Sequence, residues 1–512
     1  MTTLTTMPRP AADPPPAPVY AARLLDQLDG AGQVVLRTRD AAWTGDELAR
    51  EIRCTRSALE LHGVTSGTVV ALLTVPNHPV MLVARWAAHL LGATVVHVRS
   101  MNPRTDEEEL PLAVQQQVLL DADAHVLVVD ADSVDRGRAL VEALPEVMLV
   151  ADLGGPDLPP APAPAHENAC AVIDFTSGTA NAPRLVTQTF GGRQRLLDHL
   201  LADGDGTPHL LSVTPVSHTT APMVDTVLLR GGSVTLHPGF DADDVLAAID
   251  TGVTDLYLAV PHLCALLDHP GCTPERVARM RRVTYSGTPT APARVAQAAA
   301  RFGSALVQVY GSTETGGISA LTPADHDEPE LHRTAGRPFP WVEVELRDPD
   351  AHQPVAPGGV GEVWVRSDTL CAGYWRDEEL TREQLRDGWF ATGDLASLDR
   401  YGCVRLVGRV GGVIKHGGLK IYPTAVEQAL LSHPAVSEAV VQGVRDSERR
   451  EDVHAVVVLR PGQAADEEEL IAHVAGRLSP SHAPVRIVFW NGIPLTQSGK
   501  PNRGIVRQLL GV

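Results

Sequence analysis

Four short stretches of the chain combine residue types that handle phosphate, ribose and a divalent cation. The first, DFTSGTANAPRLV (174–186), follows an apolar segment and offers backbone N–H groups and three hydroxyls across Thr176, Ser177, Gly178 and Thr179. Such a string can wrap a polyphosphate. It lacks the Gly-Lys-Ser/Thr ending of a Walker loop, which disfavours a P-loop NTPase. The second, QVYGSTETGG (308–317), sets Thr313 and Glu314 on a loop past a strand expected to end at Tyr310. Ligands of open α/β sheets bind beyond the carboxyl ends of strands, and a carboxylate there is what Mg²⁺ needs to join protein to nucleotide. The third, GWFATGDLASLDRYGCVRLVGRV (388–410), carries Asp394 and Arg409. An ionised aspartate only accepts hydrogen bonds, so it can take both hydroxyls of a ribose. The fourth, PLTQSGKPNR (494–503), puts Lys500 on a glycine-containing loop. Taken singly, each also fits an ordinary role: a hydroxyl-rich turn, a surface turn, a turn aspartate, a solvated cation.

The surrounding elements must bring these stretches together. Apolar runs at 68–75, 93–98, 125–130 and 147–152 alternate with helical patterns at 79–92 and 136–144. That alternation predicts parallel sheets covered by helices. A proline-rich loop (154–165) leads into the strand ACAVIDF, which ends at the first stretch, and the beat resumes through strands near 210–216, 233–238, 254–260, 281–287 and 305–311. Past residue ~330 the strands become short and glycine-bounded, as in antiparallel sheets or a small barrel. After Gly411 a helix, two strands, a helix and a last strand read as a compact α+β unit of roughly 100 residues. The expected architecture is α/β: a proline-rich disordered tail over 1–17, a large domain of parallel sheets plus a small distorted β-barrel over 18–410, and a small mobile domain over 411–512.

Bulk properties narrow the function. A chain of 512 residues with 44% apolar and 21% charged residues is ordinary globular protein. With 43 basic against 62 acidic residues the net charge is -19. Such a surface repels nucleic acid and anionic lipid, so a bound nucleotide needs local cations. The six cysteines (Cys54, Cys170, Cys264, Cys272, Cys371, Cys403) form no CxxC pair and read as reduced thiols. The N-terminus has no apolar signal region, and the most apolar run, Val80 to Val98, is interrupted by Arg85 and His89. A cytoplasmic protein without membrane or nucleic-acid partners is expected.

In order and spacing, the four stretches resemble those of the adenylate-forming superfamily: acyl- and aryl-CoA synthetases, free-standing adenylation enzymes and luciferases. The resemblance runs from about Trp43 to Arg503. It implies ATP and Mg²⁺ as cofactors, with AMP and pyrophosphate as products. It also implies site roles. Thr176 to Thr179 with Arg184 would hold the phosphates. Gly287, Thr288 and Pro289, in YSGTP (285–289), would lie against adenine and acyl group. Tyr310, with Gly311 and Ser312 after it, would stack on adenine, Thr313 would contact phosphate, and Glu314 would hold the metal. Asp394 and Arg409 would bind ribose. His218, in PVSH (215–218), would line the carboxylate pocket. Lys500 matches the family's mobile lysine, which bridges the α-phosphate and the substrate carboxylate. Catalytic weight then falls on Lys500, His218, Thr176 and Glu314. The small domain would rotate about a hinge near Gly411 between adenylation and transfer.

The sequence also departs from the family pattern. Where relatives read TSGTTGxPKG, this chain has Ala180, Asn181, Ala182, Pro183, Arg184 and Leu185 after Thr179. One hydroxyl and two glycines are gone, but Asn181 tolerates positive φ and Arg184 keeps a cation. Gly411 stands where aspartate or lysine is common, and Ala425 where glutamate is common. Relatives that activate α-amino acids place an aspartate at the position of Thr219, so a small organic or aryl acid is expected instead. Its pocket would draw on His218, Thr219, Met223, Thr288 and Gly317, although Met223 also fits plain core. The chain ends nine residues after Arg503, so the acceptor is expected in trans, as CoA or the phosphopantetheine of a carrier protein. Two alternatives stay open: adenylation of nitrite with transfer to an aryl amine, and a silent nucleotide-binding relative.

Overall fold

A computed structural model of the chain describes residues 20–99, 110–159, 166–176, 184–204, 206–288, 290–416, 419–445, 451–494 and 501–510. The expected disordered tail (1–17), Ser177, Gly178, Thr179, Pro289 and Lys500 lie outside the described residues.

Among those residues, two large sheets carry the first part of the chain. In one, Met148–Val150, Val126–Val129, Val69–Leu73, Thr94–His97 and Cys170–Thr176 lie side by side in parallel. These strands are almost wholly apolar because helices cover both faces. Arg184–Thr189 then returns antiparallel to Cys170–Thr176, with Gly373–Tyr374 paired on its outer edge. The second sheet has Val34–Arg37, Ser233–Leu236, His209–Ser212, Asp255–Ala259, Arg282–Ser286 and Leu306–Ser312 in parallel. Gly316–Leu321 follows as an antiparallel hairpin partner of Leu306–Ser312, with Arg337–Pro338 paired on its outer edge. The strand expected to stop at Tyr310 therefore runs on to Ser312, past a register shift at Tyr310/Gly311, because its hairpin partner keeps the ladder going.

Helices between the two sheets bind them into one core. Pro79–Leu90 starts with His78 capping the Val80 amide and a proline in its first turn, where no N–H is needed. Its Met81, Leu82, Trp86 and Leu90 pack with Val172 of one sheet and Leu210, Val234 and Leu236 of the other. Buried charges cross this core. Asp225 accepts from Arg85 at 2.8 Å, Arg193 at 2.6 Å and the Trp86 indole at 2.9 Å. Arg85 also donates to the Val216 carbonyl at 2.8 Å, tying the core to the segment that carries His218. Beside them His89 Nε2 donates to the Ala171 carbonyl and Nδ1 accepts from the Tyr20 hydroxyl, the only tautomer that satisfies both.

Val342–Arg347, Gly361–Ser367, Trp389–Leu398 and Val404–Arg409 form a separate antiparallel sheet, as the glycine-bounded strands predict. One 3₁₀ turn, Val410–Gly412, leads from it into the C-terminal unit. There Val436–Arg445, Glu451–Leu459 and Arg486–Phe489 make a mixed sheet, and Pro423–Leu431 and Glu467–Arg477 bury Val426, Leu430, Leu470 and Val474 against it.

Candidate functional site

The carboxyl ends of the parallel strands, the hairpin after Leu306–Ser312 and the third sheet supply three groups of polar side chains. The first group spans two sheets. Asp394 and Arg409 are cross-strand partners on Trp389–Leu398 and Val404–Arg409, so the sheet register brings them together. Arg409 Nε lies 2.9 Å from Asp394 Oδ1, and its Nη2 donates to the Thr392 carbonyl at 3.0 Å. Tyr310, from the second sheet, donates its hydroxyl to Asp394 Oδ2 at 2.7 Å. Burial, and then the Asp394 charge, hold the Tyr310 phenol well above its usual pKa, so it stays a donor. A phenol ring, a carboxylate and a guanidinium thus meet, although 84 residues separate Tyr310 from Asp394.

The second group is the hairpin turn with Thr313 and Glu314. Ser312 and Thr315 brace each other, each backbone N–H donating to the other's hydroxyl. Gln188 donates to the Thr313 carbonyl at 3.1 Å, and the Cys371 amide to the Glu314 carbonyl at 2.8 Å. A Cβ at Gly311 would stand 2.0 Å from the Gly316 carbonyl oxygen, so only glycine permits this turn. A Cβ at Gly317 would meet the Phe339 ring at 2.9 Å. Among the described residues the Glu314 carboxylate takes a single long contact, 3.4 Å from the Tyr374 hydroxyl, and keeps lone pairs for other partners. The Arg184 guanidinium lies 6.0 Å from the centre of the same Tyr374 ring. The cation that leaves the hydroxyl-rich loop and the carboxylate of the turn therefore share one tyrosine.

The third group lies at the ends of strands in both large sheets. His218 Nδ1 and the Ser217 hydroxyl are 2.8 Å apart, while Nε2 stands 3.7 Å from Asp174 Oδ1, beyond hydrogen-bond reach. Burial pushes His218 down and Asp174 up, so both favour their neutral forms. Across from them the Tyr257 hydroxyl sits 2.5 Å from Ser286 and also faces Thr219. Gly287 follows with φ of 111°, a conformation suited to glycine, and Thr288 after it is half-buried. Met223 packs against the core cluster rather than standing free.

The structure thus joins Tyr310, Asp394 and Arg409, joins Glu314 to Arg184 through Tyr374, and sets His218 near Thr219. Sequence reasoning missed Tyr374, Gln188, Tyr257, Ser286 and Asp174. Only Asp174 carried a signal, a charged residue inside the apolar strand ACAVIDF. Among the described residues no group of three or more His, Cys, Asp or Glu could hold a metal, and no helix is long and apolar enough to cross a membrane.

Residues 28–375 match the family model of the AMP-binding enzyme, and residues 425–500 match that of the AMP-binding enzyme C-terminal domain. A medium/long-chain-fatty-acid–CoA ligase of Mycobacterium tuberculosis is 32% identical over 92% of this chain and 86% of its own length. A feruloyl-CoA synthase of an Amycolatopsis species is 32% identical over 93% of this chain and 96% of its own. The solved structure of the amide bond synthetase McbA from Marinactinospora thermotolerans superimposes with a TM-score of 0.86 at 34% identity, covering 96% of this chain and 99% of that one. With both family models matched in order and relatives similar along nearly their whole length, the chain belongs to the AMP-binding family of adenylate-forming ligases.

Proposed function

We propose that this ligase activates a small organic or aryl carboxylic acid as its acyl-adenylate and passes it to a thiol, either CoA or a separate carrier protein. The observation that carries the reading is the meeting of Tyr310, Asp394 and Arg409. It offers a ring face for adenine and an acceptor pair for ribose, beside a carboxylate-bearing turn. Asp394 retains lone pairs after its contacts to Tyr310 and Arg409, so ribose hydroxyls can add to the cluster without dismantling it. Glu314 fits an Mg²⁺ ligand, being a hard oxygen donor with one weak partner among the described residues, and would hold the cation beside the phosphates. Bound there, Mg²⁺ would offset the charge of the departing pyrophosphate.

The remaining roles belong to the chain. Attack of a carboxylate on the α-phosphate brings two anions together, so a cation must sit between them. Lys500 is that cation in our reading, with Arg184 and the hydroxyls of Thr176, Ser177 and Thr179 on the phosphates. His218, kept neutral by burial, orients the substrate carboxylate by hydrogen bonding without adding charge. Between the half-reactions, the unit beyond Gly411 turns about the Val410–Gly412 segment and exchanges Lys500 for the acceptor. An amine acceptor is the second reading, favoured by the 34% identity to the amide bond synthetase.

The test is incubation with ATP, Mg²⁺ and a panel of benzoates, cinnamates, fatty acids and nitrite, measuring pyrophosphate and AMP with CoA or an aryl amine present. Pyrophosphate release with an aryl or small organic acid, and thioester with CoA, is expected. Turnover with nitrite and an aryl amine alone would sink the carboxylate reading, and no release with any acid would leave a silent nucleotide-binding protein. Lys500→Ala should slow adenylation by about 10²–10³-fold while sparing thiol transfer from preformed adenylate. Survival of both half-reactions would remove Lys500 from the mechanism.

A further inference from the structure

Asp174 is an anomaly in the strand Cys170–Thr176. Its neighbours Ala171, Val172, Ile173 and Phe175 are core residues, yet its buried Oδ1 has no hydrogen-bond partner among the described residues. Only 10% of the side chain is exposed. A buried carboxyl normally answers to a base or a set of N–H groups, because leaving it unpaired costs free energy. The nearest candidate, His218 Nε2, stands 3.7 Å from Oδ1, too far for a hydrogen bond, and is itself buried without a partner among the described residues. One strand over, His97 lies in the same transverse row, one step past the Val96↔Ile173 pair. It borders a cavity of about 10 Å³ with Ser217 and Arg99, room for one water. That cavity accounts for the His97 ring nitrogens but is not lined by Asp174.

We propose that Asp174 is a specificity residue of the acid pocket, accepting a hydrogen bond from a neutral N–H or O–H group that the substrate acid carries apart from its carboxylate. This rests on the adenylation reading above and sharpens its substrate class to donor-bearing acids such as N–H heteroaryl or hydroxyaryl acids. The position follows from the strand, which delivers Asp174 beside His218 two residues before Thr176, at the mouth of the phosphate-binding stretch. The polarity follows from the charges. A carboxyl here brings no cation for the substrate's own carboxylate, which His218 orients in the reading above, so Asp174 addresses another part of the molecule. A cationic amine is disfavoured because two buried guanidiniums, Arg85 and Arg193, already bias this region and only Asp225 is paired with them. A neutral donor satisfies the orphaned oxygen without adding charge.

The test compares matched acids, indole-3-carboxylate with benzothiophene-3-carboxylate and 4-hydroxybenzoate with 4-methylbenzoate. Pyrophosphate release is measured on wild type, Asp174→Asn and Asp174→Leu, and acid binding without ATP by calorimetry. Wild type should favour the donor-bearing member of at least one pair by about 10–100-fold in kcat/KM and in affinity. Asp174→Asn, which keeps an acceptor oxygen, should retain part of that preference. Asp174→Leu should erase it while still turning over the donor-free acid. Equal treatment of both members by wild type, preference for an aminomethyl analogue, or an unaltered preference in Asp174→Leu overturns the proposal. Absence of pyrophosphate release with intact, Asp174-dependent binding would instead defeat the adenylation reading and leave the subsite standing. Because Asp174 Oδ1 is buried without a hydrogen bond among the described residues, Asp174→Leu should fold at least as stably as wild type, which melting checks.

Discussion

Asp394 has two partners of different kinds, and they can be separated experimentally. Asp394→Asn removes the charge opposite Arg409 and replaces one acceptor oxygen by an NH₂ donor, which the Tyr310 hydroxyl can meet only by turning to accept. The KM for ATP should rise about 10–100-fold, the worth of a charge-assisted hydrogen bond. Tyr310→Phe removes only the hydroxyl that reaches Asp394 at 2.7 Å, so the ring face remains and the rise should stay within about 10-fold. Equal effects would mean that Tyr310 acts through Asp394 alone. Residues of this kind were legible in the sequence because the motifs sit at fixed offsets from strand ends. Tyr374 was not, since its place beside Glu314 depends on a two-residue edge strand, Gly373–Tyr374, paired to a strand nearly 190 residues earlier, through Thr187 and Val186. Tyr257 and Ser286 were hidden for the same reason: adjacent parallel strands bring them 2.5 Å apart across 29 residues of sequence.

At the scale of elements, the helix Pro79–Leu90 carries three polar side chains tied into the core: Arg85 and Trp86, which donate to Asp225, and His89. Asp225→Asn leaves two buried guanidiniums without a counter-charge. It should lower unfolding free energy by about 3–5 kcal/mol, read as a lower urea midpoint. His89 sets an acid limit. Burial holds its pKa to about 3 in the folded protein against 6.5 for the free residue. Between those values only the unfolded chain takes up the proton. The His89 contribution is thus complete above pH 6.5 and is lost as pH falls from 6.5 toward 3. Melting temperature should therefore drop on going from pH 7.5 to pH 5. His89→Gln, which can still donate to Ala171 and accept from Tyr20, should flatten that drop. Buried Asp174, pushed the other way, works against the trend. Hydrophobic alternation made the helix and its flanking strands readable, but not this polar seam. In the sequence Arg85 and His89 look like interruptions of an apolar run, because Asp225, the partner of Arg85, lies 140 residues downstream and His89 bonds Tyr20, 69 residues upstream, and the Ala171 carbonyl, 82 residues downstream.

For the whole molecule, the segment Val410–Gly412 is where the sheet of Val404–Arg409 hands over to the C-terminal unit. Gly411 has open space around a notional Cβ, so bulk is not what selects glycine there. Backbone freedom is the remaining reason. Gly411→Pro fixes φ and should hold one pose of the two units. One half-reaction, measured as pyrophosphate release or as thiol transfer from preformed adenylate, should then fall at least about 10-fold while the other is retained. Gly411→Ala should leave both near wild type. If proline also leaves both intact, rotation at this segment is not part of the cycle.

The hydroxyl-rich loop leaves one strand at Thr176 and re-enters the next at Arg184, and these two residues face each other as a ladder pair. Below them Phe175↔Leu185, Asp174↔Val186 and Ile173↔Thr187 lock the register. Both anchors, Thr176 and Arg184, are therefore fixed by a ladder built from residues 170–176 and 184–189. Arg184 and Asp174 ride on that anchored frame, so their positions are set by the ladder and not by the composition of the sequence between the two strands. An engineer can hold this footing constant while comparing versions of equal length between Thr176 and Arg184.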